Sequence, residues 1–241
     1  MKSKELKIEI PKEVLDVIRK LQEKEFQAYI VGGCVRDILR GIKPQDWDIA
    51  TDAKPEEVAK IFPKHFIENK FGTVTVLTGS KDPTLKEIEV TTFRIEEKYT
   101  DRRHPDKVRW AKTIEEDLSR RDFTINAMAI KIKNEKLKIK NLELIDPFNG
   151  QKDLKNKIIR AVGDPDERFK EDALRLMRAV RFATTLEFDI EKKTFEAIKK
   201  NAYLLEFISK ERIRDEFLII IMSKNAAKGI DLLRETGLLN T

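Results

Sequence analysis

Near residue 150 the spacing of apolar side chains changes period, and that switch limits the folds open to this chain. Before it, short apolar or alternating runs recur: AYIV at 28–31, DWDIA at 46–50, and further runs at 66–69, 73–78, 88–94 and 127–132. Alternation belongs to strands, because successive side chains point to opposite faces of a sheet. Helical stretches are interleaved. Pro11 opens one with an apolar stripe of Val14, Leu15, Ile18 and Leu21; another runs over 34–40 and stops at Gly41; Pro55 begins a third; a last turn spans 114–121. Residues 95–112 are polar and aperiodic, which predicts a long mobile loop. From Asp164 onward the period is helical, with helices expected over 167–186, 192–208, 211–222 and 226–233. The pattern predicts an α+β domain over residues 1–150 joined directly to an all-helical one over 151–241.

At about 150 residues per domain, 241 residues make roughly one and a half domains. Charged residues reach 38%, yet 49 Lys+Arg against 43 Asp+Glu leave only +6. Such a surface is rich in ion pairs rather than polycationic. Thirteen Phe argue against disorder. No apolar run approaches the ~18 residues of a membrane span, and the N-terminus carries no signal-peptide pattern. Cys34 is the single cysteine, which excludes an internal disulfide, and two histidines argue against a zinc site. These bounds predict a soluble, cytoplasmic protein.

Four polar constellations could carry chemistry. Gly32-Gly33 separates a strand from a helix and is followed by Arg36 and Asp37. Paired glycines let a backbone approach a phosphate, the first N–H groups of the helix can donate to it, and Arg36 can add a two-pronged contact. A tight structural turn is the competing reading. Asp46 and Asp48, two apart on a strand, point to one face. Adjacent carboxylates repel, a bound cation relieves that, and Mg²⁺ favours one or two carboxylates together with substrate phosphates. Glu89 on a neighbouring strand is a third oxygen ligand or a base; against this stands a plain exposed strand face. Trp47, between the aspartates, points the other way, into the core. Cys34 reads as a small core residue and His104 as a loop residue.

The third constellation is Arg120, Arg121, Asp122 and Asn126. Arginines contact phosphates, and Asp or Asn can bond a ribose hydroxyl; a surface run of ion pairs is the alternative. The fourth is EDALRLMRAVRF at 171–182. On one continuous helix, Phe169, Ala173, Leu176, Val180 and Ala183 share a side, and Arg168, Asp172, Arg175 and Arg178 share the other. Arg181 falls nearly opposite Asp172. On a solvent face an Asp–Arg pair is worth a few tenths of a kcal/mol. It can instead read a base: a carboxylate accepts from an exocyclic amine while a guanidinium donates to the adjacent ring nitrogen. Adenine and cytosine offer that pattern, whereas guanine and uracil place a carbonyl oxygen where the amine should be.

In order along the chain, GGCVRDILRG, DWD, EEDLSRRDFTINAMA, DPFNGQKDL, EDALRLMRAVRF and ERIRDEF resemble the class II tRNA nucleotidyltransferase/poly(A) polymerase family, over residues 28–239. The resemblance implies a polymerase-β-like nucleotidyltransferase head, a mixed sheet flanked by helices, followed by a helical neck. It implies that Asp46 and Asp48 hold a catalytic Mg²⁺, and that Gly33 and Arg36 contact a triphosphate. By the same resemblance Arg121, Asp122 and Asn126 belong to the nucleotide site. Asp172 and Arg175 match the family's template for the incoming base, and Arg178 and Arg181 its further nucleotide-contacting arginines. The implied reaction is attack of a tRNA 3′-hydroxyl on the α-phosphate of CTP or ATP, with release of pyrophosphate.

Within the family, CC-only members lack the loop that this chain carries at 96–112, and DRRHP at 101–105 is like that of CCA- and A-adding members. Poly(A) polymerases add basic extensions. CCA addition is therefore favoured over A-only addition, and both over poly(A) addition. A non-catalytic RNA- or nucleotide-binding module would have no reason to keep Asp46 and Asp48 with Gly32-Gly33. A small-molecule nucleotidyltransferase is disfavoured by Asp172 and Arg175. Family members continue past the neck into body and tail helices, so the expectation here is a head and neck without them. Residues 98–112 hold six Lys/Arg against two acids, a local +4 that suits RNA phosphates.

Overall fold

A computed structural model describes residues 10–67, 72–97, 107–132 and 142–240. They divide into two compact units. The first comprises residues up to Ile95, Arg109–Arg120 and Asn126–Phe148; the second comprises Glu96–Val108, Arg121–Ile125 and Asn149–Thr241.

The first unit runs α1 (Lys12–Gln22), β1 (Ala28–Val31), α2 (Gly33–Leu39), β2 (Asp48–Thr51), α3 (Pro55–Ile61), β3 (His65–Ile67), β4 (Thr73–Leu77) and β5 (Glu87–Thr92). After β6 (Arg94–Glu97) and β7 (Lys107–Trp110), which pair with each other, come α4 (Ile114–Ser119), β8 (Ala129–Ile132) and β9 (Leu142–Ile145). A seven-stranded mixed sheet has the order β3-β4-β5-β2-β1-β8-β9. Only β2 and β5 pair in parallel; the other neighbours are antiparallel. All four residues of β1 are buried, so this strand is covered on both faces and reads as a continuous apolar run rather than an alternating one. On one face Tyr29, Val31, Ala50 and Ala129 pack with Ile114 and Leu118 of α4. That helix starts with a capping box: Glu116 N–H donates to the Thr113 hydroxyl (3.4 Å), and Thr113 N–H donates to the Glu116 carboxylate (3.3 Å). α1 buries Val14, Val17, Ile18 and Leu21, one stripe of an amphipathic helix.

The second unit carries α5 (Gly150–Asn156), β10 (Ile158–Ile159), α6 (Pro165–Glu171), α7 (Leu174–Leu186), β11 (Asp189–Ile190), α8 (Lys192–Asn201), α9 (Lys210–Ile221) and α10 (Ala226–Glu235). Phe169, Ala173, Leu176, Val180 and Ala183 are buried in one core, the side that periodicity assigned to them. No helix among the described residues is long and apolar enough to cross a membrane.

Several expectations need correction. The single helix over 167–186 is two helices. Asp172 between them is extended (φ −140°, ψ 106°), and its carboxylate accepts from Leu174 N–H at 3.0 Å. A side chain that satisfies a backbone donor locally competes with the helix. The polar stretch 95–112 is bounded by β6 and β7; residues 98–106, including the DRRHP motif, lie outside the described residues, as does the end of the run at 66–69. The second unit is not purely helical, because β10 and β11 pair in parallel (Ile158 with Asp189). Two-residue strands are too short to show a period.

Gly229 sets how closely α10 lies against its neighbours. A Cβ there would run into Ile220 Cγ2 of α9 and stand 2.9 Å from Thr184 Oγ1 of α7. Gly229→Ala is expected to lower stability by about 1–3 kcal/mol through overpacking, read as a lower urea midpoint. An unchanged midpoint would mean that α10 can shift freely, contrary to this packing.

Candidate active site

β2 and β5 bring two acidic residues side by side. Their parallel register pairs Asp48 with Glu89, and β4 places Thr75 on the far side of Glu89. Registered neighbours share a sheet face, with strands about 4.8 Å apart. Asp48 is half-buried and Glu89 exposed. The ladder reaches one residue further back, where Glu89 N–H donates to Trp47 carbonyl oxygen at 3.1 Å. Trp47 is 2% exposed and is a core residue, as its phase predicted. Asp46 departs from expectation: the strand begins at Asp48, and Asp46 stands exposed in the preceding bend. Strand alternation therefore does not fix the direction of its side chain.

These hard oxygen donors suit a cation of the Mg²⁺ kind. Among the described residues no group of three or more His, Cys, Asp or Glu could enclose a metal ion. Mg²⁺ does not need such a cage, because it keeps waters and takes substrate phosphate oxygens alongside one or two carboxylates.

The glycine pair lies where β1 turns into α2. Gly32 has φ 78° and ψ −139°, a region that side chains rarely tolerate. The Arg36 side chain folds back over this turn: a Cβ on Gly33 would stand 3.5 Å from Arg36 Nη2. Arg36 Nε and Nη2 donate to the two Asp37 carboxylate oxygens at 2.9 and 3.0 Å, and Nη1 donates to Asn126 Oδ1 at 2.9 Å. Two of the sequence motifs, GGCVRD and RRDFTIN, thus meet through Arg36 and Asn126.

The remaining candidates belong to the second unit. Asp122 is 8% exposed. Its Oδ2 accepts from Arg178 Nε (2.9 Å) and Nη2 (2.6 Å), and its Oδ1 from Phe123 N–H (2.8 Å). Burial works against the Arg178 charge, but the Asp122 charge and hydrogen bond outweigh it and hold the guanidinium above its ordinary pKa. Glu216 of α9 pairs with Arg181 Nε at 2.8 Å and with Arg178 Nη1 at 3.8 Å. Burial pushes the Glu216 carboxyl above the usual range, and the two arginines offset this only in part. Phe182 carries Arg181 over its ring at 4.2 Å, a cation–π arrangement. Arg121 is half-buried at the start of the same segment.

Asp172 and Arg175 do not form the surface pair that a continuous helix would give. Asp172 Oδ2 accepts from Arg212 Nη2 of α9 at 3.2 Å. Arg175, 9% exposed, donates through Nη1 to Glu171 Oε2 (2.6 Å) and to Arg168 carbonyl oxygen (3.1 Å). The continuous helical face expected for Arg168, Asp172, Arg175 and Arg178 is interrupted at Asp172, although Arg168 and Arg175 still meet on Glu171 Oε2. The sequence motifs also leave Asp37 without a role and pass over Arg212 and Glu216. All three lie inside motifs already visible, GGCVRD and ERIRDEF, but only the fold shows which charge each one meets.

Comparison with known proteins agrees with this architecture. The model of the poly A polymerase head domain matches residues 28–160, and that of a probable RNA- and SrmB-binding site of polymerase A matches residues 187–241. The chain is 48% identical over 228 residues to the CCA-adding enzyme of Ligilactobacillus salivarius, covering 94% of this chain and 53% of the relative. It thus spans about half the length of the curated relatives it matches. Among solved structures, the Bacillus stearothermophilus CCA-adding enzyme in complex with CTP superposes with a TM-score of 0.80 at 44% identity, over 94% of this chain and 52% of that one. The Thermotoga maritima CCA-adding enzyme complexed with tRNA gives 0.78 at 32% identity, over 99% and 54%. The chain belongs to the poly(A) polymerase head-domain family, with a mixed-sheet polymerase head followed by a mainly helical portion.

Proposed function

We propose that this chain is the head and neck of a template-independent RNA nucleotidyltransferase, cytoplasmic, that adds CMP and AMP from CTP and ATP to the 3′ end of tRNA. The observation that carries this reading is the in-register Asp48–Glu89 pair next to the strand that ends in the Gly32 turn. That pairing sets an acidic face beside a backbone turn open to phosphate, the minimum a phosphoryl-transfer head requires. The identity to CCA-adding enzymes favours CCA addition over A-only, CC-only or poly(A) addition. In this reading the head is residues 1–150 and the neck residues 151–241.

Each side chain has a part in it. Asp46 and Asp48 hold Mg²⁺, which when bound neutralises charge at the α-phosphate and orients the attacking hydroxyl. Glu89 completes the acidic face as a further oxygen donor or as acceptor of the hydroxyl proton. Gly32 and Gly33 admit the triphosphate close to the backbone, and Arg36 contacts it. Asn126 and Arg121 belong to the nucleotide site. Asp122 belongs to the same site, near the ribose, and also orients Arg178. Asp172 accepts from the base amine and Arg175 donates to the ring nitrogen, with Arg178 and Arg181 as further nucleotide contacts. The protein does no covalent chemistry; positioning and fixed charge carry the rate.

Three outcomes are expected with the full chain, Mg²⁺ and tRNAs ending before, within and after CC. CTP alone extends the first two, and ATP alone extends only the tRNA that ends in CC. ATP added repeatedly to every end would instead make the chain a poly(A) polymerase. Asp48→Ala lowers incorporation at least about 1,000-fold, the scale of removing a principal transition-state charge stabiliser, while circular dichroism stays unchanged. Activity kept within tenfold would remove Asp48 from the reaction. Asp172→Ala lowers discrimination against GTP and UTP by about 10- to 100-fold; unchanged discrimination would refute the base-reading role.

A further inference from the structure

Asp37 has no assigned part in the reaction, yet its side chain is fully engaged. Both of its oxygens are taken by one edge of Arg36, Nε at 2.9 Å and Nη2 at 3.0 Å, and Arg40 Nη1 approaches at 3.5 Å. Arg36 and Asp37 are only 13% and 16% exposed. The pairing joins consecutive residues, so it adds nothing to holding distant parts of the fold together. Its effect is on direction. An arginine has much rotamer entropy to lose, and Asp37 with Asn126 grips all three guanidinium nitrogens, laying the group back against Gly33 at the turn.

We propose that Asp37 is a positioning residue for nucleotide binding. It fixes Arg36 over the Gly32-Gly33 turn, so that the guanidinium is already aimed when a nucleoside triphosphate arrives. This rests on the reading of Arg36 as a triphosphate contact. A ligand that meets a preset arginine avoids the ordering cost that a mobile one would impose. Because the triphosphate is common to all nucleotides, Asp37 governs affinity and leaves base choice to the second unit.

The test measures equilibrium binding of CTP and of ATP, each with Mg²⁺, to the full chain and to Asp37→Asn, Asp37→Ala, Arg36→Ala and the Arg36→Ala/Asp37→Ala double variant. Both Asp37 variants are expected to weaken CTP and ATP equally, about tenfold, the lower end of losses seen when an orienting partner is removed. Asp37→Asn keeps the shape of the side chain and is expected to keep the wild-type melting temperature, which separates positioning from folding. The double variant is expected to bind no more weakly than Arg36→Ala, since Asp37 acts only through that arginine. Additive losses, or Asp37 variants that bind within twofold of wild type while Arg36→Ala weakens binding, overturn the proposal and leave the Arg36 reading standing. An Arg36→Ala chain that binds as wild type overturns the Arg36 reading itself.

Discussion

Two carboxylates in register on adjacent parallel strands are the constraint to which the rest of the first unit answers. Like charges opposite each other weaken a strand pair by about a few tenths of a kcal/mol. What holds the register is the other phase of the same strands. Ile49 and Val90, registered partners one residue on, are fully buried. A one-residue slip of either strand would turn its own aliphatic side chain outward and drive its own carboxylate into the core. Trp47 adds a third anchor by accepting a ladder bond from Glu89 while its indole is buried. The acidic face is thus maintained against its own repulsion by apolar packing beneath it.

The arginines follow a related rule in both units. Arg36 is gripped by Asp37, Arg178 by Asp122 and Arg181 by Glu216. The first pair is fork to fork, the second sets two nitrogens on one Asp122 oxygen, and the third is an ion pair; a preset fork loses less entropy per hydrogen bond. Losing one partner of a fully buried pair would strand a charge, but these arginines keep 13%, 33% and 18% of their side chains exposed. Conformational precision, rather than added stability, is what such pairs provide.

Much of the scaffold was legible in the sequence. The AYIV strand, the Gly32 turn, the α1 stripe and the buried side of α7 all follow from period and from glycine geometry, which are local properties. Three kinds of feature were not. β9, β10 and β11 are too short or too weakly alternating to reveal themselves, and exist because a partner strand pairs with them. The break at Asp172 depends on one side chain capping Leu174 N–H, so uninterrupted helical periodicity on either side concealed it. Strand alternation assigns Asp46 to the face of Asp48, but the strand starts two residues too late for that inference. Each failure has one origin: a local rule extended across a point where a single contact overrides it.

The ERIRDEF segment shows the other limit of a linear reading. Arg212 and Glu216 are four apart on α9 and so lie on one side of it. Arg212 meets the acid Asp172, while Glu216 meets the bases Arg181 and Arg178. Exchanging the two would oppose like charges at both ends, and sliding α9 by one turn would set Arg212 beside the arginines of α7. The charge pattern therefore fixes the axial position of α9, while Ile220, packed where Gly229 leaves room, fixes its depth. Neither residue carries a signal by type or spacing alone, because an i,i+4 Arg–Glu pair on a helix most simply reads as an exposed ion pair within that helix. Its meaning here comes from where the break at Asp172 and the arginines of α7 stand, and that is information only the folded chain contains.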